Sequence, residues 1–268
     1  MASSPATRSV GSSSARVGRH RDGLPGVGTR RRTAVVTGAS QGLGAVGARW
    51  LAGEGYDLVV TARHPGPLRT VGGALRALGG SVVEIAGDGA DPAHRAEVRR
   101  AVDRWGALDL LVNNASELGV SPLPPLLEYP LAELERVYRI NVVAPRALLP
   151  ALAPALSQRH GLVVDLSSDA AVGGYPGGGA YGASKAALDL VSRTLAHELG
   201  EAGISAVAVD PGDLRTALHQ AAFAGQDISD RPLPEATIPF WAWLLGPPGS
   251  EISGPRLRAP ADHGGRPA

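Results

Sequence analysis

The sequence predicts one α/β domain, a doubly wound parallel sheet of about seven strands with helices on both faces, and three observations predict it. Short apolar runs recur along the chain, longer helical stretches separate them, and a glycine-rich turn stands at the first joint. The apolar runs fall at 33–37, 57–62, 81–86, 108–113, 161–167 and 205–210. A strand that is apolar throughout suits a parallel sheet covered on both faces. Helical stretches lie near 42–54, 67–78, 92–105, 131–157 and 181–201. Strand and helix alternating at this spacing give right-handed crossovers and layers of helix on each side of the sheet. PFWAWLLG (239–246) is expected to pack on the sheet. Trp241 and Trp243 there read as core or subunit interface.

Composition sets the boundaries. A chain of 268 residues suits one large domain or two small ones, and no repeat or second domain is visible. The class is therefore Rossmann-like, with the domain running over 31–260. Residues 1–30 are rich in Ser, Gly and Arg with Asp22 as their one acid, and show no periodicity. They read as a disordered leader, with an organelle transit peptide or a nucleic-acid-binding arm as alternatives. Residues 261–268 read as a flexible tail. A net charge of +1 gives no broad attraction to nucleic acid or anionic lipid. The absence of cysteine excludes disulfides, thiolate metal sites and a cysteine nucleophile. The seven histidines are scattered without metal-ligand spacing, so no metal is expected. No apolar run approaches the roughly 20 residues that cross a bilayer. A cytoplasmic protein without a nucleic-acid or membrane partner is the expectation.

The turn after the first strand reads TGASQGLG, with Gly38, Gly42 and Gly44. Glycines between a strand and a helix let backbone N–H groups approach a pyrophosphate, which the helix N-terminus also attracts. Ser40, Gln41 and Leu43 complete the loop. An NAD-binding chain usually carries an acid at the end of the second strand, about 20 residues on. Here that strand ends in Ala62 and Arg63, with Asp57 at its wrong end. A carboxylate repels a 2′-phosphate, whereas an arginine grips one bidentately. NADP(H) is therefore the preferred cofactor, with NAD(H) possible.

With these features in place, residues 31–259 resemble the short-chain dehydrogenase/reductase family. TGASQGLG resembles its cofactor loop, and Asp88 falls where the family has an aspartate contacting adenine. VNNAS, with Asn114 and Ala115, is similar to its NNAG segment. Asn141 and Ser168 match its catalytic asparagine and serine, the serine 13 residues before Tyr181. YGASK supplies Tyr181 and Lys185 of its YxxxK motif. DPGDLRT, with Pro211, Gly212 and Thr216, resembles the segment whose threonine holds the nicotinamide carboxamide. Lys185 is the chain's one lysine among 26 basic residues.

The chemistry follows from these types. Tyr181 and Lys185, four apart, share one helix face. A phenol titrates near 10, and an adjacent ammonium together with the positive nicotinamide should lower it. The resemblance further implies that Lys185 binds the nicotinamide ribose, that Ser168 holds the substrate oxygen, and that Asn141 interrupts its helix and positions a relay water. Tyr181 would then be the general acid/base of a carbonyl reduction or alcohol oxidation. A nucleotide-binding sensor or scaffold without turnover is the alternative. Small-molecule substrate and a homodimer or homotetramer are implied by the same resemblance. Two departures stand out: Ser116 where the family has glycine, and Gly89 after Asp88. Tyr175 and Pro176, in a glycine-rich run, are read equally as pocket or loop packing. The segment after Thr216 resembles the family's substrate lid.

Overall fold

In the sheet, alternate residues of most strands belong to opposite cores, and this sets the architecture. On β1 (Thr33–Thr37), Ala34 and Val36 pack into one hydrophobic cluster and Val35 into the other. Leu58 and Val60 of β2 (Asp57–Ala62) join the first cluster and Val59 the second. Period-two alternation of side chains makes a strand apolar on both sides only when helices cover both sides. The computed structural model describes residues 30–249 and 251–259. The readings made for 1–29 and for the tail from 260 onward lie outside them.

The remaining strands are β3 (Val82–Ala86), β4 (Leu110–Asn113), β5 (Leu162–Leu166), β6 (Ser205–Asp210) and β7 (Arg256–Arg258). All pair in parallel, in the order β3-β2-β1-β4-β5-β6-β7. The order reverses between β1 and β4, the point outside whose carboxyl ends such sheets bind ligands. The helices are α1 (Gly42–Gly53), α2 (Pro65–Arg76), α3 (Pro92–Asp103), α4 (Leu131–Tyr138), α5 (Ala144–Ser157), α6 (Gly179–Glu198), α7 (Ala217–Ala222) and α8 (Ile238–Leu244). Phe240, Trp241 and Leu244 of α8 are buried in the first cluster, so Trp241 is core. The helix expected at 181 starts at Gly179, because glycine carries a weak helical signal in sequence.

Two details of the 131–157 stretch differ from a plain helix. A π-helical turn, Arg139–Val143, joins α4 to α5, with Ala144 N–H bonded to Arg139 O. Pro145 has no N–H for the carbonyl four residues back, that of Asn141, so the α-helical ladder breaks at this residue. The combined 27-residue helix Leu131–Ser157 holds a window of mean hydropathy 1.3, enough by length and composition alone to cross a bilayer. Leu148, Leu149, Leu152 and Leu156 of this helix lie in the second cluster, which accounts for much of its apolar character.

Candidate active site

The cleft begins at the glycine-rich turn. Gly38 and Gly42 adopt φ of 66° and 54°, the left-handed region that glycine occupies without cost. Gln41 precedes α1 without a side-chain cap, and the first turn of α1 has no acid. Its N–H groups are thus left for an anion. Gly44 allows the loop to close on β4: a Cβ there would stand 2.4 Å from both Gly38 O and Asn114 Nδ2. Asn114 stitches the turn in place, its Nδ2 donating to Thr37 O (2.9 Å) and Gly38 O (3.1 Å). Ala115 N–H donates to Thr37 Oγ1 at 3.0 Å. Gly44→Ala is expected to lower Tm by several degrees and nucleotide affinity by more than about tenfold, the overpacking outweighing alanine's better helix propensity. Melting curves with and without nucleotide check this.

From that turn a cleft of about 670 Å³ runs along the carboxyl ends of the strands. One end is lined by Thr61, Ala62, Arg63 and His64, and by Asp88 and Gly89. Arg63 is 58% exposed in its side chain and lies 3.4 Å from Glu117 Oε2. Asp88 accepts from Ala90 N–H at 2.9 Å and pairs with Arg139 at 3.4 Å. Asp57 sits at the other end of its strand, 3.0 Å from Arg31. His94, which sequence reasoning passed over as one of seven scattered histidines, lines this end as well. It is 7% exposed, its Nδ1 has no partner among the described residues, and burial lowers its pKa. The packing of α3 against the sheet, not any local pattern, brings it here.

At the centre of the cleft lie Ser168, Tyr181 and Lys185 of the resembling motif, with Asn141 buried behind them. Ser168 follows β5, Tyr181 and Lys185 lie on α6, and Asn141 lies in the π-helical turn. Lys185 is 2% exposed; its Nζ donates to Leu166 O at 2.6 Å and lies 5.6 Å from the Tyr181 ring centroid. Asn141 is a fully bonded tie. Its Nδ2 donates to Glu117 O and Ser184 Oγ, both at 2.9 Å, and its Oδ1 accepts from Glu117 N–H at 2.8 Å and Ser116 Oγ at 3.3 Å. Ser116, the departure from the family's glycine, therefore joins this network. Pro211, Gly212 and Thr216 line the far side. Gly212 N–H donates to Asp210 Oδ1 at 3.0 Å, and Thr216 caps α7 by accepting from His219 N–H at 3.2 Å.

The electrostatics overturn one expectation. Burial pushes the Tyr181 phenol up to about 12, against the pull of the Ser116 and Ser168 hydroxyls. The fields of Asp169 and Asp210 add to the rise. Burial outweighs the lowering expected from the Lys185 ammonium, which lies 5.6 Å from the ring centroid. Burial likewise draws Lys185 down to about 8, opposed by Asp165 and Asp189. Asp165, behind it on β5, rises to about 6 through burial, although Asn113 donates to it at 2.8 Å. Beneath Ser168, Arg256 of β7 donates to Ser168 O (2.8 Å), Asp189 Oδ2 (3.0 Å) and Asp210 Oδ2 (3.0 Å). This network was not anticipated from sequence.

Beyond Ser168 the cleft is walled by Leu123, Pro176, Leu218 and Phe223 with Asp169, Tyr175 and His219. Tyr175 and Pro176 thus both line this part of the cleft. The arrangement joins an anion-binding turn to a phenol, an ammonium and a hydroxyl within one cleft, a set suited to moving a proton beside a bound nucleotide.

Comparison with known proteins agrees with this layout. Residues 32–227 match the short chain dehydrogenase family. An L-rhamnose 1-dehydrogenase (NAD(P)(+)) of Sphingomonas sp. is 31% identical over 84% of this chain and 87% of its own. Among solved structures, a short chain dehydrogenase of Salmonella enterica serovar Typhi superposes with a TM-score of 0.79 at 28% identity, covering 86% of this chain and 96% of that one. A chain from Shigella flexneri complexed with NADP gives 0.79 at 28%, covering 85% and 97%.

Proposed function

Because the chain belongs to the short-chain dehydrogenase/reductase family, we propose that it is an NADP(H)-dependent oxidoreductase in which Tyr181 exchanges a proton with the oxygen of a carbonyl or secondary alcohol. The observation that carries this reading is one cleft that joins the Gly38–Gly44 turn to Ser168, Tyr181 and Lys185. The residues fit a dinucleotide. The turn offers uncapped N–H groups to a pyrophosphate, and the Asp88 and His94 end has room for the base. Asn114, Ala115, Pro211, Gly212 and Thr216 flank the path to Tyr181. A bound nicotinamide supplies or accepts the hydride. Lys185 holds its charge beside the phenol, Ser168 orients the substrate oxygen, and Asn141 fixes the helix turn on which this geometry depends.

Preference for the phosphorylated cofactor rests on Arg63 and on Ala62 where an acid would otherwise stand. Glu117 shares that guanidinium, so a 2′-phosphate competes with an existing partner. Titration with NADPH and NADH is expected to show tighter NADPH binding. Arg63→Ala should weaken NADPH about tenfold or more, the worth of a charge-assisted hydrogen bond, and leave NADH nearly unchanged. Equal affinities in the wild-type protein would defeat the preference. A homo-oligomer is part of the same reading: Leu131, Val143 and Leu190, on the α4–α5 stretch and α6, are all more than half exposed, apolar area that a second copy would cover.

A further inference from the structure

We propose that Asp169 selects the substrate, and that the substrate is an uncharged carbonyl compound carrying a hydroxyl on the neighbouring carbon, reduced to a vicinal diol. The inference rests on the oxidoreductase reading above and concerns the outer end of the same cleft. Asp169 follows Ser168 directly and opens a short 3₁₀ turn. It lines the cleft with Tyr175. Three donors fix its carboxylate: Ser168 Oγ at 2.9 Å and Ala170 N–H at 2.8 Å on Oδ1, and the Tyr175 hydroxyl at 2.9 Å on Oδ2. An ionised carboxylate has about four acceptor positions. Among the described residues one therefore remains, on Oδ2.

Burial pushes this carboxyl up, but the hydrogen bonds from Tyr175, Ser168 and Ala170, with the field of Arg258, outweigh it and hold the group below the ordinary range. It is an anion at neutral pH. Its place has two consequences for a substrate whose reacting oxygen sits at Ser168. A hydroxyl on the adjacent substrate carbon can donate to the open position on Oδ2. A plain ketone makes no such bond and leaves that acceptor unused. A substrate carboxylate or phosphate at that position meets a like charge.

The overall change is the two-electron reduction of the ketone, hydride to carbon and the Tyr181 proton to oxygen, with the nucleotide leaving oxidised. Three four-carbon probes of similar size separate the possibilities: 3-hydroxy-2-butanone, 2-butanone and 2-oxobutanoate, each assayed for kcat/KM with NADPH. A site built to bond a hydroxyl discriminates strongly against the analogue that lacks it. The wild-type protein is expected to favour the hydroxyketone over the plain ketone by about tenfold or more, and over the keto acid by more still. Asp169→Ala should bring the first ratio close to one. Asp169→Asn, which keeps the shape and removes the charge, should lower it in part and raise relative activity on the keto acid. Melting temperature reports whether each variant is folded.

Turnover of hydroxyketone and ketone at equal kcat/KM would overturn this proposal and leave the oxidoreductase reading intact. A ratio unchanged in a folded Asp169→Ala protein would do the same. Failure of every carbonyl and of the corresponding alcohols, with nucleotide bound, would overturn both.

Discussion

Tyr181→Phe is expected to lower kcat by about a thousandfold while nucleotide affinity and melting temperature stay close to those of the parent protein. General acid–base catalysis by one positioned group contributes about 10² to 10⁴. Phenylalanine keeps the ring packing and removes only the hydroxyl, whose neighbours Ser116 and Ser168 retain other partners. Single-turnover reduction with saturating NADPH isolates the step. Direction matters as well. With its pKa pushed up to about 12 by burial, the phenol is protonated throughout the neutral range and ready to act as an acid. Reduction should therefore be flat from about pH 6 to 8. Oxidation, which needs the phenolate, should climb with pH over the same interval, and the positive charge of an oxidised nicotinamide would shift that climb downward. Retention of substantial turnover by the phenylalanine variant would show that the proton comes from elsewhere, and Ser168 would be the next group to test.

The longer strands were legible because most are apolar on both faces; a run such as Leu58, Val59 and Val60 has no other comfortable place in a protein. The glycine turn was legible because its conformations are ones other residues avoid. Tyr181, Lys185, Ser168 and Asn141 were found by spacing and by resemblance, and the fold brings them into one region. Contacts between distant segments were not legible. Arg256 meets residues 46, 67 and 88 positions away, and no local pattern pairs them. His94 reaches the cleft only because α3 packs where it does. Tyr175 sits in a glycine-rich run whose composition says that the chain can turn there, not where its ring points. One signal was available and unused: a carboxylate immediately after the serine at the end of β5 must lie beside it at the mouth. The direction of the Tyr181 shift was misread because sequence shows the charges near a group but not the burial around it, and burial is the larger influence here.

Arg256→Ala should be the most destabilising single change in the cleft's foundations, by about 3–5 kcal/mol, the usual result of removing one partner from a buried ion pair. In a protein of this size that corresponds to a fall in Tm of about 10 °C. The side chains of Arg256, Asp189 and Asp210 are 15%, 11% and 2% exposed, so water cannot take over the lost bonds. Arg258, 49% exposed and 3.5 Å from Asp210, is a weak substitute. Its own removal should cost less than about 1 kcal/mol. Arg256→Lys should fall between, since one ammonium cannot reproduce a fork that serves two carboxylates and a carbonyl. The loss also depends on pH. Burial raises the Asp189 carboxyl above its ordinary value, and Arg256 is among the groups that oppose the rise. Without the guanidinium the folded-state value climbs further above the unfolded one. A carboxyl in that position binds its proton more tightly when folded, so stability falls as pH rises through the interval between the two values. The deficit of the variant relative to the parent should accordingly be smaller near pH 5 than near pH 7.5, as read by denaturant unfolding at each pH. Because Arg256 also holds the Ser168 carbonyl, the fraction that remains folded should turn over more slowly, with kcat reduced before KM. A variant as stable as the parent at both pH values would mean that β7 is held by its packing alone and that the carboxylates beneath the cleft are satisfied without it.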